Sequence, residues 1–505
     1  MTDKLLSSLA PTRADFEKAY NEGKAQLISR KLSSDLETPV SVYLKLCQNE
    51  TYSFLMESVQ DGEIRGRYSM IGFAPEVSVK VVGGKAYLNQ DALTDPMAYA
   101  PLPGNPIEEL GALLQQNQIE MPEDMPSMAA GWFGYMAYDM VRYMEALPSQ
   151  NPDILGLPES IFIRPTIVVV FDDATDTMQI VTPIYPRAEM SADSAYDLAE
   201  QRLGNIFDQL QSAPPKNDFE NMSSLQEPTS NMSRAAYLDM VGKVKKYIVA
   251  GDIFQGVVSQ RFSTPFSLPP FELYRSLRRV NPSPYLFYLK MDDFSLVGSS
   301  PEVLVGLTGK QVNIRPIAGT RKIGKNRAEN MAIADDLLAD EKERAEHLML
   351  LDLGRNDVGR VSKKGSVEVT EAFSILQASH VIHIISNVIG TLSEDCDFID
   401  ALMAGFPAGT VSGAPKIRAM EIIDELEPEK RGVYAGCVGY FSAGGDMDTC
   451  ITLRTGIVKD NQLYVQAGAG VVYDSVPEME YEETVNKAMA LFRAAEAAIE
   501  QNKSD

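Results

Sequence analysis

The sequence predicts an α+β fold organised on large antiparallel sheets, and three observations carry the prediction. Strand-like runs are separated by helical runs of unequal length, without the strict alternation of a parallel sheet. The stretch from Val40 to Leu88 consists of short alternating runs that close on a turn at Gly83–Gly84. With 505 residues, of which 45% are apolar and 23% charged, the chain can bury a sizeable core.

Taken in order, residues 1 to about 38 read as a lead-in with a helix near Arg13–Leu27. VSVYLKL from Val40 alternates and predicts a strand, and YSFLMES, YSMIGF and EVSVKVV predict three more. A short helix is expected around Ile107–Gln116, then strands at Ile161–Phe171 and Met178–Pro183 and a helix at Ala192–Gln211. SAPPKNDFENMSSLQEPTS, residues 212–230, is polar, Pro-containing and aperiodic, as a linker would be. It separates an N-terminal region, 1–211, from a C-terminal region, 233–505, with 212–232 between them. Ser233 can cap a helix over Arg234–Ala250 that Gly251 ends. Strands FQGVVSQRF, PYLFYLK, FSLVGSS, EVLVGLT and QVNIRPI follow, and a long helical stretch runs from about Arg327 to Leu351. Then come VSKKGSVEVTEAF, a segment from His380 to Ile389, and a loop leading into a helix. The strands CVGYFS, CITLRTGIVK and QLYVQAGAGVVYD precede a final helix near Glu480–Glu500.

A net charge of −24, from 46 basic and 70 acidic residues, argues against nucleic acid and anionic membranes as partners. An anionic ligand would have to be held locally, by Arg, Lys, backbone amides or a bound cation. Cys47, Cys396, Cys437 and Cys450 form no CxxC pair, so free thiols in a reducing compartment are expected rather than a zinc ribbon or disulfides. The opening MTDKLLSSLAP lacks a signal-peptide pattern and no apolar run is long enough to span a bilayer. A soluble cytoplasmic protein is expected.

Chemistry concentrates in a few places. FPAGTVSGAPKIRAMEIIDELE, from Phe406, is a small-residue loop with hydroxyls at Thr410 and Ser412 running into a helix. Ile417, Met420, Ile423 and Leu426 would face inward, leaving Asp424, Glu425 and Glu427 for water. Such a loop either turns a corner or offers amides to an anion, and without GK[ST] it is no Walker A loop. Glu343 and Glu346 lie three apart on one helical face, and Glu480, Glu483 and Lys487 share another. Two such faces either hold Mg²⁺ or are solvated acidic surfaces. The histidines are His347, His380 and His383, too few for a zinc site, and on a strand the last two would point to opposite faces. One of them can serve as an acid or base. Arg454, set between apolar neighbours in CITLRTG, needs a carboxylate from the protein or from a ligand. Gly468 and Gly470 permit close backbone approach. Cys437 sits in GCVG, but with no histidine after it the segment reads as an ordinary strand rather than a nucleophile elbow.

IRPIAGTRKIG, DEKERAEHLMLLDLGRNDVGRV, HVIHIISNVIGTL, FPAGTVSGAPKIRAMEII, DTCITLRT and VQAGAGVVYDSVPEMEYEETVNKA closely resemble the chorismate-utilising enzymes, nearly continuously over residues 234 to 495. Within them the chain resembles the component I group of anthranilate synthases. The resemblance implies antiparallel sheets packed as an orthogonal sandwich with helices outside. Ala318 stands where aminodeoxychorismate synthases typically carry a nucleophilic Lys, which leaves that folate-branch activity as the alternative. Gln255 stands where isochorismate and salicylate synthases resemble each other in carrying a water-activating Lys, so ammonia is the implied nucleophile.

The same resemblance assigns expected roles. Glu346 and Glu483, with Glu343 and Glu480 beside them, would bind Mg²⁺, the implied cofactor. Glu302, His383 and Thr410 would be catalytic, and Gln255, Thr320, Tyr434, Arg454, Gly468, Gly470 and Lys487 would bind substrate. Lacking a glutaminase triad, the chain would take ammonia from a glutamine amidotransferase subunit, in a heterotetramer of two large and two small subunits. Arg321, Arg355 and Lys416 are basic loop residues open to either a structural or an interface role. Leu55-Met56-Glu57-Ser58 and Asn281–Phe287 resemble the motifs of a tryptophan inhibitor site, implying a pocket of Glu57, Ser58, Pro284, Tyr285, Leu286, Val438 and Tyr440. A regulatory protein on a retired synthase scaffold is the other class of reading; loss of Glu346, Glu483 or His383 would favour it, and all three are present.

Overall fold

A computed structural model describes residues 8–60, 64–116, 118–215, 224–377 and 381–502. His380 and residues 216–223 of the expected linker lie outside the described residues. Among those described, 23 strands join one antiparallel network with helices packed on it, the α+β architecture expected from the pattern.

The network crosses the linker. Tyr52–Gln60 pairs with Tyr285–Met291, aligning Glu57 with Leu286 and Ser58 with Tyr285. Gly131–Met136 pairs with Cys437–Ser442, aligning Tyr135 with Val438. Gln255–Pro265 runs against Gln462–Val471, placing Val257 opposite Gly470 and Ser259 opposite Gly468. Its first residues also pair with Gly413–Ala414, which draws the Phe406 loop onto the sheet. Ile317–Lys322 pairs with Val381–Thr391, aligning Thr320 with His383. The helix Pro477–Gln501 covers Gln462–Val471 and the helix Pro270–Val280, joined through buried Leu491, Phe492 and Leu273.

Several elements differ from the sequence expectation, each for a local reason. VSVYLKL is not a strand: Pro39–Leu46 is a helix, started by a capping box between Thr38 and Ser41 and by Pro39 in the first turn. Its apolar residues satisfy both periods, and the helical one places Pro39, Val42, Tyr43 and Leu46 in the core. The first helix stops at Asn21, and Gln26–Ser33 turns into a strand paired with Thr177–Ile184. The long helical stretch is two helices, Arg327–Ala339 and Glu341–Val361, broken at Asp340, whose carboxylate caps the second through the amides of Lys342 and Glu343. QVNIRPI divides into Gln311–Ile314 and Ile317–Lys322. The helix Pro270–Val280 is not among the expected elements, although Pro270 and Glu272 in its first turn, Arg278 and Arg279 in its last and a buried apolar face with Phe271, Tyr274 and Leu277 all mark it. YSMIGF and EVSVKVV, expected as two strands, join in one, Ile64–Val82, whereas Arg234–Ala250 lies where the pattern placed it, capped by Ser233 and ended by Gly251 with φ 85°.

Two polar expectations also change. Asp424 and Glu427 of the helix Lys416–Leu426 and its cap do not face water: both are buried, on Arg142 and Arg431 respectively. Of the three basic residues left open, Lys416 pairs with Asp357 and Arg355 sits within a helix beside Asp352. Arg321 spans Asp340 and Glu343. No helix among the described residues is long and apolar enough to cross a membrane.

Candidate active site

Cys437 lies in a buried strand that pushes its thiol up to about 12, which leaves an inert core residue as the sequence suggested. His347 is likewise structural: it is fully buried, its Nε2 is 2.7 Å from Ser386 Oγ, and burial pulls it down to about 4. The chemistry gathers elsewhere, in a cavity of about 190 Å³ where the ends of the central strands meet the Phe406 loop and the last helix.

That cavity brings together Glu302, His383, Thr410, Thr320, Tyr434, Arg454, Gly468, Gly470 and Lys487. Glu302 is only 7% exposed, and desolvation raises it to about 8 despite the Thr410 hydroxyl and the charge of Lys487. Thr410 Oγ1 donates to both carboxyl oxygens, at 3.2 and 3.3 Å. At neutral pH this is a protonated carboxylic acid in a pocket wall. His383 is the complement. Its Nδ1 lies 3.0 Å from the carbonyl of Gly319, an acceptor only, so Nδ1 carries the proton and Nε2 is the bare nitrogen. Burial lowers His383, the Gly319 carbonyl opposes that, and Arg454 adds to it, so the ring stays neutral as a base must. An acid and a base with oppositely shifted environments thus share one cavity.

Arg454 is not within a strand as expected. Strand pairing breaks between Met447–Ile451 and Thr455–Lys459, and Arg454 takes φ 46° in the gap, which delivers its side chain to the cavity. Desolvation lowers its pKa, and among the described residues no carboxylate pairs with it. A guanidinium left so in a cavity wall suits an anionic ligand. Lys487 Nζ donates to the carbonyl of Gly468 at 3.0 Å and pairs with Glu483 at 2.7 Å. The two glycines earn their place by space: a Cβ at Gly468 would stand 2.6 Å from Tyr434 Oη, and one at Gly470 2.8 Å from Gln255 Nε2. The helix start at Lys416 is absent from the lining, so the loop contributes Thr410 and Val411, from its own single helical turn Gly409–Ser412, rather than the terminus of the helix that follows.

Gln255 and the expected metal carboxylates stand beside this cavity rather than in its wall. Gln255 Nε2 donates to Glu346 Oε1 at 3.1 Å. Burial raises Glu346, with Glu343 and Glu483 adding to the rise, and burial and Glu483 raise Glu480. Glu343 is bonded to Arg321 Nη1 at 2.8 Å. Among the described residues no three His, Cys, Asp or Glu side chains gather at metal-holding distance. A pair of half-buried, mutually repelling carboxylates nonetheless fits Mg²⁺, which needs one or two protein carboxylates and takes the rest of its oxygens from water and substrate.

A second cavity, about 330 Å³, lies between the paired strands Tyr52–Gln60 and Tyr285–Met291 and the strands Cys437–Ser442 and Met447–Ile451. Glu57, Ser58, Tyr285, Leu286, Val438 and Tyr440 line it, whereas Pro284 lines a neighbouring cavity of about 690 Å³. Glu57 is already engaged: Arg278 donates to it at 2.7 and 2.9 Å, and Tyr274 also bonds to it. The free acidic group of this cavity is Asp448, whose one described partner is the Tyr285 hydroxyl at 3.0 Å and which burial raises. Sequence reasoning missed Asp448, and Val257, Leu453 and Gln466 in the first cavity, because strand alternation does not say which face meets a cavity.

Residues 99–493 match the family model for chorismate binding enzymes. The chain is 53% identical to anthranilate synthase component 1 of Cereibacter sphaeroides over 484 residues, 96% of this chain and 97% of that one. It is 44% identical to the protein of that name from Pseudomonas aeruginosa over 500 residues, 96% of this chain and 99% of that one. The crystal structure of anthranilate synthase component I from Streptococcus pneumoniae superposes with a TM-score of 0.75 at 36% identity, covering 91% of this chain and 98% of that one. The menaquinone-specific isochorismate synthase of Escherichia coli shares the fold, with a TM-score of 0.71 at 18% identity over 94% of this chain and 95% of that one. With its fold and near-full-length identity both on that branch, the chain belongs to the chorismate-binding enzyme family, in its anthranilate synthase component 1 group.

Proposed function

We propose that this chain is the large subunit of an anthranilate synthase, converting chorismate and ammonia to anthranilate and pyruvate in tryptophan biosynthesis. The observation that carries the reading is one cavity holding a protonated Glu302, a neutral His383 and an Arg454 with no carboxylate partner among the described residues. Arg454 takes the side-chain carboxylate of chorismate, and Tyr434 and the backbone at Gly468 and Gly470 bound the ring. Ammonia attacks C2 while the C4–O bond breaks; Glu302 gives its proton to the departing hydroxyl, which leaves as water, and the resulting carboxylate is reprotonated by the new C2 ammonium, leaving the neutral amine. His383 Nε2 then takes the C2 proton as the enolpyruvyl C–O bond at C3 breaks, aromatising the ring and expelling the enolate of pyruvate, whose methylene carbon takes that proton back from the imidazolium. Thr320, 3.2 Å from His383 Nδ1, and the Gly319 carbonyl fix the imidazole, and Thr410 fixes Glu302. Glu346 and Glu483 would hold Mg²⁺, with Glu343 and Glu480 beside them. Bound there, the cation supplies positive charge for the ring carboxylate.

The ammonia comes from glutamine through a partner amidotransferase subunit, as the component 1 designation of the relatives supports. Tryptophan is the feedback inhibitor, seated in the 330 Å³ cavity with its indole against Met56, Met70 and Leu286 and its ammonium toward Asp448. The test is a product assay of the purified chain with chorismate, Mg²⁺ and excess ammonium. Anthranilate plus pyruvate, abolished by chelator and reduced by tryptophan, is expected. Stable aminodeoxychorismate would move the protein to the folate branch, and isochorismate would overturn the choice of ammonia as nucleophile.

A further inference from the structure

The ion pair Glu427–Arg431 lies beneath the cavity floor and has no part in the roles assigned above. Its side chains are 2% and 1% exposed. Arg431 Nε and Nη2 donate to Glu427 at 3.0 and 2.7 Å, but the guanidinium also reaches beyond its partner. Nη1 donates to the carbonyl of Val411 and Nη2 to that of Val257, each at 2.6 Å. Glu427 Oε1 accepts from the Ser259 amide at 2.7 Å and hydroxyl at 2.8 Å, and that hydroxyl accepts from Gln466 Nε2 at 2.8 Å. Val411, Val257 and Gln466 all line the cavity, and Val411 follows Thr410, the residue bonded to Glu302. The guanidinium carbon also lies 5.5 Å from the ring centroid of Tyr434, another wall residue.

A buried ion pair is a weak source of net stability, because desolvating both charges offsets their attraction. A well-packed apolar pair can therefore replace the ion pair as a folding element. It cannot bond to two carbonyls on separate chain segments. We propose that Arg431, oriented by Glu427, is a positioning residue that locks the Thr410–Val411 turn, the Gln255–Pro265 strand and Tyr434 into one active-site geometry. This rests on the reading of the cavity as the chorismate site.

The test uses the full chain with chorismate, Mg²⁺ and ammonium, and two substitutions. Arg431→Lys keeps a charge opposite Glu427 but loses the fork that reaches both carbonyls. Glu427→Leu combined with Arg431→Met removes both charges and keeps the volume. Both proteins are expected to unfold cooperatively near the wild-type temperature. Both should lose kcat by roughly ten- to a hundredfold, the scale of a small misplacement in a catalytic site, with chorismate KM changed by less than about threefold. Wild-type kcat in the apolar double variant would overturn the inference, and so would failure of both variants to fold, which would make the pair a folding element. If the unsubstituted chain makes no anthranilate, the proposed function itself fails.

Discussion

Replacing Thr410 by Val removes the hydroxyl that donates to Glu302 at 3.2 and 3.3 Å while nearly keeping side-chain volume. That hydroxyl favours the ionised carboxylate, so its loss must push Glu302 above its value of about 8. Hydrogen bonds to charged groups contribute about 1.5–3 kcal/mol, and this one, long and shared between two oxygens, falls below that range at about 1 kcal/mol. At 1.36 kcal/mol per pKa unit, the expected displacement is about 0.7 toward higher pH. The assay is kcat/KM for chorismate across neutral to alkaline pH, with free ammonia and Mg²⁺ held constant. With Glu302 as the proposed acid, the wild-type profile should fall as pH rises through about 8, and in Thr410→Val the fall should begin later. The maximal rate should drop as well, since the acid loses its anchor. An alkaline limb that stays in place, or moves toward lower pH, would refute the assignment of Glu302 as the titrating acid.

The same burial predicts a stability effect. Folding holds a proton on Glu302 from its ordinary 4.5 up to about 8, so this contribution is full at pH 4 and is lost as pH rises through 8. Glu302→Gln should therefore melt higher than wild type at pH 9 and nearly equally at pH 4, the ionised form costing on the order of 5 kcal/mol. Arg454→Met should raise chorismate KM by roughly ten- to a hundredfold, the loss of one charge-assisted contact, while leaving the melting temperature unchanged or higher, because a desolvated cation is removed. Glu346→Gln and Glu483→Gln should each weaken metal binding by at least about tenfold, read directly from Mn²⁺ titration by electron paramagnetic resonance as well as from turnover. Asp448→Asn should abolish tryptophan inhibition while leaving the uninhibited kcat within about twofold of wild type, checked by inhibition curves at fixed chorismate.

How much was legible in advance depended on whether a residue's role is local. The α+β class, the helix capped by Ser233 and the strands that carry Gln255, Tyr285 and Gly468 followed from periodicity and capping chemistry, which act over a few residues. Where two periods fitted one segment, as in VSVYLKL, the capping box of Thr38 and Ser41 decided for helix and alternation misled. The residues gathered in the cavity came from motif resemblance, not from pattern. Nothing in the spacing of Glu302, His383 and Arg454 places them within reach of one another.

By itself the sequence determined the family and the antiparallel character of the sheets, and its motifs named Glu302, His383, Arg454 and Lys487 as candidates for one site. Only the tertiary structure decided their states. Glu302 keeps its proton because the pocket desolvates it, and His383 is neutral because burial disfavours its charged form, while the Gly319 carbonyl fixes the proton on Nδ1. Glu427, marked for solvent by its place on a helix, became the anchor of a buried arginine, because burial is set by what packs against a face and not by the face alone. Pairing of strands from both sides of the linker put Glu57 beside Leu286 across more than two hundred residues of chain, a contact that no local rule encodes.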